Sequence, residues 1–270
     1  MPLLNNIKDA YFLDCGVTFD VPIAITGATA ANPVVITAVA HGLSNGDIVD
    51  IDDIIWEPDV NAYGTKTQPD QLNGQRFTIA NKTADTFELT GENGTAFNAY
   101  SSGGEVRKTV LTISGLWHIN GAEVVVLADG EEVTGLTVAS GAITLPSRAS
   151  RVHIGLPYVC DIELLDIEYG SSRGPTLQGK MKSIGEVTLR FEKTRHALVG
   201  PTERLLTPLK ESLFDKEVET VNGLLTGDLI YPMKPQWNSH GRLLIRQRGP
   251  FPMTLLAAIP EIDVEDDNTR

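Results

Sequence analysis

The sequence predicts an all-β chain, an antiparallel β-meander or sandwich that carries a small inserted β-barrel. Three observations lead there. The stretch GLWHINGAEVVVLADGEEVTGLTVASGAITLPSRASRVHIGLPY (115–158) alternates apolar and polar residues around Asp129-Gly130 and Ser140-Gly141, pairs that tolerate positive φ. Short β-branched runs separated by Gly or Asn-Gly recur at about ten-residue spacing through 27–108. No segment is both long and periodic enough to make a strong helix.

In chain order, AYFLDCGVTFDV (10–21) reads as one or two strands with Gly16 as a kink or bulge. The small-residue run from Gly27 to Pro33 reads as a hinge. PVVITAVAHGLSNGDIVDIDDI (33–54) then gives a strand, a turn at Ser44-Asn45-Gly46-Asp47 and a second strand through Ile48, Val49 and Ile51. A polar insertion, EPDVNAYGTKTQPD (57–70), precedes two strands near 75–80 and 86–90, and YSSGGEVRK (100–108) closes the module. The meander at 109–168 is followed by a Gly-rich polar loop (169–180) and by a strand pair or long strand with Val187, Leu189 and Phe191 on one face. Residues 201–215 carry the only helical hint, read as a short turn because Pro208 interrupts it. Pro250, Pro252 and Pro260 bracket a last strand, which suits a sheet edge because proline donates nothing to a ladder. The terminal VEDDNTR is expected to fray. Two domains follow: 1–26 plus 109–270 as a discontinuous β domain, and 27–108 as the inserted barrel.

Composition narrows the function. Apolar residues make up 41% of the chain and charged residues 21%, the balance of a folded globular protein. Acidic residues outnumber basic ones 35 to 22, a net charge of −13. That disfavours a protein whose affinity comes from gripping phosphates with Lys and Arg, but suits a surface past which DNA slides without sticking. No apolar run approaches the ~20 residues of a membrane helix, and MPLLNNIKD lacks the charged and apolar regions of a signal peptide. Cys15 and Cys160 are expected to be reduced, partly buried small hydrophobes; no CxxC or His cluster accompanies them.

No catalytic, cofactor or metal residue emerges. Asp47, Asp50, Asp52 and Asp53 lack the loop spacing of a calcium site and read as a solvated strand face. His41 packs or caps its turn; His118, His153, His196 and His240 are scattered without a nucleophile motif. In DIELLDIEY, Asp161, Glu163, Asp166 and Glu168 would be glycosidase candidates only with the right spatial separation, and their alternation with Ile162 and Leu164 is that of a half-buried strand. Arg242, Arg246 and Arg248 flank an apolar strand, where they can pair with acids of a neighbouring subunit or touch DNA phosphate. Without interleaved aromatics for base stacking, a subunit-interface role is preferred for them.

Two resemblances bear on this. VVITAVAHGLSNGDIVDI (34–51), LNGQRFTI (72–79), TFELTG (86–91) and YSSGGEV (100–106) resemble the FCCH-type β-barrel, named after the first catalytic-cysteine half-domain of ubiquitin-activating enzymes, which recurs in phage tail proteins. The module implies a scaffold; no nucleotide-binding fingerprint accompanies it. The flanking segments DAYFLDCGVTF (9–19), GLWHINGAEVVVLADG (115–130), SGAITLPSRASRVHIGLPY (140–158), GKMKSIGEVTLRFEKTRHALVG (179–200), LTGDLIYPM (225–233) and GRLLIRQRGPFPMTLLAAIPEI (241–262) are similar to the C-terminal portion of the tail nozzle, or tail tubular protein B, family of short-tailed phages. Members are usually longer, so the chain is expected to be a truncated or split version or a shortened relative. The resemblance implies a non-enzymatic virion tail subunit assembled in the bacterial cytoplasm. It would form a homo-oligomeric ring, a hexamer by that likeness, around the DNA-ejection conduit. It would contact an adaptor protein above and tail fibres or host envelope below, with no sequence-specific nucleic-acid binding, no cofactor and no transmembrane segment. The alternative expectation is a tail-associated receptor- or glycan-binding module, or a polysaccharide-degrading tail protein.

Overall fold

A computed structural model of the chain describes residues 13–57, 72–168, 178–209, 219–221 and 224–265. The polar insertion expected at 57–70, most of the loop at 169–180, the second half of the helical hint at 201–215 and most of the C-terminal tail lie outside them. Among the described residues there is no α-helix; the fold is all-β and antiparallel, as the alternation predicts. The chain divides into two compact units, Val17–Ala122 with Leu136–His153, and Met1–Gly16 with Glu123–Gly135 and Ile154–Arg270.

The strands of the first half are β1 (Asp14–Asp20), β2 (Pro22–Ala24), β3 (Gly27–Ala28), β4 (Val35–Thr37), β5 (Ile48–Trp56), β6 (Gln75–Ala80), β7 (Thr86–Leu89), β8 (Tyr100–Lys108) and β9 (Val110–Ser114). Seven of them form one sheet in the order β2-β8-β5-β6-β7-β4-β3. Its apolar side is a single core that includes Ile36, Ile51, Phe77, Phe87 and Val106, all buried. Along β5, Val49 and Ile51 point in while Asp50 and Asp52 point outward, the period-two signature of a half-buried strand. The left-handed backbone at Asp53 (φ 61°) then turns the strand so that Ile54 is buried in its place.

The expected barrel is not closed. The two outermost strands, β2 and β3, do not pair with each other; they are successive parts of one segment. The Ile25 amide donates to the Gly104 carbonyl on the β8 side, and the Thr26 amide to the Thr37 carbonyl on the β4 side. The chain therefore steps between the two edges, and Gly27-Ala28, expected as hinge, is part of the sheet. The sheet begins at Pro22, and the same compact unit takes in 109–122 and 136–153 beyond the predicted 27–108 boundary.

The second half begins with β10 (Glu123–Ala128), β11 (Glu131–Thr137), β12 (Ala142–Ala149), β13 (Arg151–Leu156) and β14 (Val159–Glu163). Asp129 and Gly130 between β10 and β11 both have positive φ, 49° and 90°, as do Ser140 and Gly141 before β12, 53° and 70°. These are the turn conformations their sequence predicts. In β1 the left-handed residue is Cys15 (φ 51°), not the expected Gly16. There follow β15 (Lys182–Thr194), β16 (Ala197–Gly200), β17 (Thr207–Pro208), β18 (Glu219–Val221), β19 (Leu224–Pro232), β20 (Leu244–Arg248) and β21 (Leu255–Val264). A single 3-10 turn at Glu203–Leu205 is the helical element of the 201–209 connection.

The second unit contains a β-sandwich of two four-stranded sheets, β14-β20-β16-β17 and β18-β19-β15-β21, and strands of a further sheet, β1-β13-β10-β11. One core joins them, with Val187, Leu189 and Phe191 of β15 and Leu229 of β19 facing Val199 of β16 and Ile245 of β20. A register shift between Ile184 and Glu186 resets the parity of β15, so that Ile184 is buried before the shift and Val187, Leu189 and Phe191 after it. β21 lies at the edge of its sheet, where its prolines predict it.

One buried charge network in the first unit is decisive for its stability. Arg107 is 5% exposed and donates to Asp20 at 2.8 Å and Glu105 at 2.5 Å, while Asp20 also meets Arg151 at 3.2 Å. Removing Asp20 leaves the buried Arg107 with Glu105 alone and takes an ion-pair partner from Arg151. Asp20→Ala is expected to destabilise this unit by roughly 3 kcal/mol, read as a lower urea midpoint by circular dichroism; an unchanged midpoint would contradict the network's role.

Candidate functional site

The residues with most chemistry meet on the outer face of the sheet β14-β20-β16-β17. Alternation decides this: Ile162 and Ile245 face the core, so Asp161, Glu163, Leu244 and Arg246 face away from it. Asp161 and Arg246 are register partners across β14 and β20. Arg246 forks onto Asp161, Nε to Oδ1 at 2.6 Å and Nη2 to Oδ2 at 2.7 Å, and reaches Glu203 Oε1 through Nη1 at 2.9 Å. Arg242 donates to Asp166 through Nε and to Glu163 Oε1 through Nη1 at 3.1 Å. His240 Nδ1 lies 2.9 Å from Asp166 Oδ2. An ionised carboxylate only accepts, so this nitrogen carries the proton.

Asp161, Glu163, Arg242, Leu244 and Arg246 floor a cleft of about 640 Å³. Two loops wall it. On one side Gly200 ends β16 where a Cβ would fall 2.5 Å from the Leu205 carbonyl, so only glycine lets the chain fold back and bring Thr202 and Glu203 over the sheet. On the other side Gln236, Asn238 and His240 form the wall. The Asn238 side-chain oxygen accepts from the His240 amide at 2.9 Å and the Gly241 amide at 2.7 Å. Lys182, fully buried, fastens this loop from beneath, its Nζ donating to the Ser239 carbonyl at 3.0 Å with Glu168 Oε1 3.8 Å away.

The cleft is electrostatically closed to simple anions. Both guanidiniums are matched by four carboxylates, those of Asp161, Glu163, Asp166 and Glu203, so no free positive charge remains. The Arg246 fork holds the Asp161 carboxyl below the usual aspartate range, and hydrogen bonds from Arg242 and His240 do the same for Asp166. A carboxylic acid that delivers a proton near neutrality needs the opposite shift. These two aspartates are therefore acceptors and orienters of arginine, not proton donors.

The other sequence candidates fall elsewhere. Arg248, the third arginine of the predicted interface, does not line the cleft; its charge acts on Glu132, whose carboxyl burial pushes up against the opposing pull of Arg248. Three of the four aspartates at 47–53 have protein partners: Asp47 takes the Ser44 amide and Lys108, Asp50 a bidentate Arg76, Asp52 the Gly74 amide. Asp53 is exposed. His41 caps its turn as expected, its Nδ1 accepting the Leu43 amide at 3.0 Å while its ring stands edge-on to Phe87. His153 pairs with Thr18, His196 packs on Phe251, and His118 sits in a 3-10 turn. Neither Cys15 nor Cys160 is in a disulfide, and both are exposed, not partly buried as predicted.

The sequence alone does not bring the acids of DIELLDIE and the arginines of GRLLIRQR together; Glu203 and Asn238 are not singled out by it, and His240 reads there as an isolated histidine. A signal for the first was present: acids at 161 and 163 and arginines at 242 and 246 alternate with apolar residues on two strands of opposite charge. Nothing in the local sequence marks the loop residues. Compared with protein-family models and with curated proteins, the chain matches none.

The depressed aspartate pKa values set a pH dependence. A carboxyl held low in the folded state contributes stability above its unfolded pKa, near 3.8, and loses it as pH falls through the lower folded value. The urea midpoint of wild type is therefore expected to drop as pH is lowered from about 5 to about 2. Asp161→Asn is expected to be less stable at neutral pH and to converge with wild type in acid. Parallel curves at all pH values would contradict the pairing.

Proposed function

We propose that this chain is a structural subunit of a phage tail nozzle, one copy of a ring that surrounds the DNA-ejection conduit. The reading starts from the ordered resemblance of segments 9–19, 115–130, 140–158, 179–200, 225–233 and 241–262 to the nozzle family. The observation that carries it is an edge of the sandwich that no other described strand covers. β21 is a ten-residue edge strand. On the outer face beside it, Ile230, Thr188 and Ile259 are register partners in one row across three strands. Ile230 and Ile259 are 52% and 59% exposed, and Leu256 on the same strand is 56% exposed. A long, apolar edge of this kind is a pairing hazard in a monomer and an asset in a closed ring, where each edge meets a neighbour. The net charge of −13 suits a passage that must not hold DNA.

In this reading the seven-stranded sheet is a scaffold module and the sandwich supplies subunit contacts. An adaptor ring above and fibres or envelope below are the partners the resemblance implies. Native mass spectrometry of the full chain is expected to give a closed oligomer, with a hexamer as the family-based expectation. Ile259→Lys is expected to weaken assembly by about tenfold or more, because it buries a charge at the contact, while leaving the circular dichroism spectrum intact. A protein that stays monomeric at every concentration, or an Ile259→Lys ring as tight as wild type, would overturn the proposal.

A further inference from the structure

We propose that the cleft on the outer face of β14 and β20 is a binding site for a neutral saccharide that presents vicinal hydroxyls. The inference does not depend on ring assembly. The cleft volume, about 640 Å³, lies within the roughly 300–1,000 Å³ of small-ligand sites. Its polar groups converge from three directions: the sheet floor, the turn at 201–203 and the loop at 236–240.

What those groups can still bind follows from their inventory. A guanidinium carries five N–H donors. Arg246 engages three of them with Asp161 and Glu203, and Arg242 engages two with Asp166 and Glu163. Two N–H groups of Arg246 and three of Arg242 lie outside these bonds, and the bonds engage one oxygen each of Glu163 and Glu203. The floor thus offers both donors and acceptors, on planar groups fixed by ion pairs. A hydroxyl both donates and accepts, and two hydroxyls on adjacent carbons match a planar fork in spacing and direction. Leu244, half-buried between Arg242 and Arg246 on the same face, gives the C–H face of a sugar ring an apolar floor.

Other ligand classes fit less well. Phosphate and sulfate meet guanidiniums already neutralised by a surplus of carboxylates. A cation would have to compete with Arg242 and Arg246 for carboxylates they hold bidentately or in pairs. Because Asp161 and Asp166 serve the arginines, the site is built to hold a saccharide without cleaving it.

Saturation-transfer NMR on the full chain tests this directly. The probes are neutral glucan, galactan and N-acetylglucosamine oligosaccharides, a sulfated oligosaccharide, and spermidine. Transfer to the ring protons of at least one neutral oligosaccharide is expected. Arg242→Met and the shape-preserving Glu163→Gln are each expected to weaken it about tenfold, the loss of one charged hydrogen-bonding partner. Arg190→Met, which breaks a similar bidentate pair with Asp228 on the other sheet, is expected to leave it unchanged. Absence of transfer to every neutral oligosaccharide, equal transfer in Arg242→Met and Glu163→Gln, or preference for spermidine or the sulfated probe overturns the proposal.

Discussion

The parity of β15 governs the sandwich. Thirteen residues long and paired on both sides, this strand supplies Val187, Leu189 and Phe191 to the core and presents Glu186, Thr188 and Arg190 on the opposite face. A slip of one residue would expose the three apolar side chains and bury a charge, a cost no surface contact could offset. Every other feature of the unit is downstream of that choice. The opposite sheet must match it with Val199 and Ile245, and the outer faces take whatever the alternation leaves.

What it leaves is charge on one sheet and isoleucine on the other. On β14 and β20 the outward residues are of opposite sign, and they neutralise one another across the ladder. Such exposed pairs contribute little to stability individually. Their consequence is geometric: each arginine is held at several points, so the cleft has a fixed pattern of donors and acceptors instead of mobile side chains. On β19 and β21 the outward residues Ile230 and Ile259 have no such partners and leave an apolar row next to the edge of the sheet. One sandwich thus offers two kinds of surface, a polar cleft and an apolar margin, from a single alternation rule.

How much of this was legible varies with sequence distance. Turn chemistry is local, so Asp129-Gly130 and Ser140-Gly141 announced their positive φ directly, and so did the core stripe of β15 and the proline-marked edge of β21. The parity shift at Glu186 was hidden, because Gly185 looks like any strand glycine until its partner strand is known. The open seven-stranded sheet was hidden for a similar reason: whether 22–28 closes a barrel depends on which edges it meets, not on its own residues. The cleft was the least legible feature. Arg246 and Asp161 are 85 positions apart and Arg242 and Asp166 are 76 apart. Three arginines on one short segment read naturally as a surface for another molecule, and two of them turn inward on their own chain. The exposure of Cys15 and Cys160 was equally hidden, because the apolar character of a cysteine does not fix its burial.

The assembly account stands or falls on β21. Hydrogen–deuterium exchange of residues 255–264, followed across protein concentration, addresses it without any substitution. If this edge of the sandwich is a subunit contact, amides of β21 gain protection as concentration rises, while those of β15, already paired on both sides, stay protected throughout. Exchange in β21 that is rapid and independent of concentration, with β15 protected, would contradict the account.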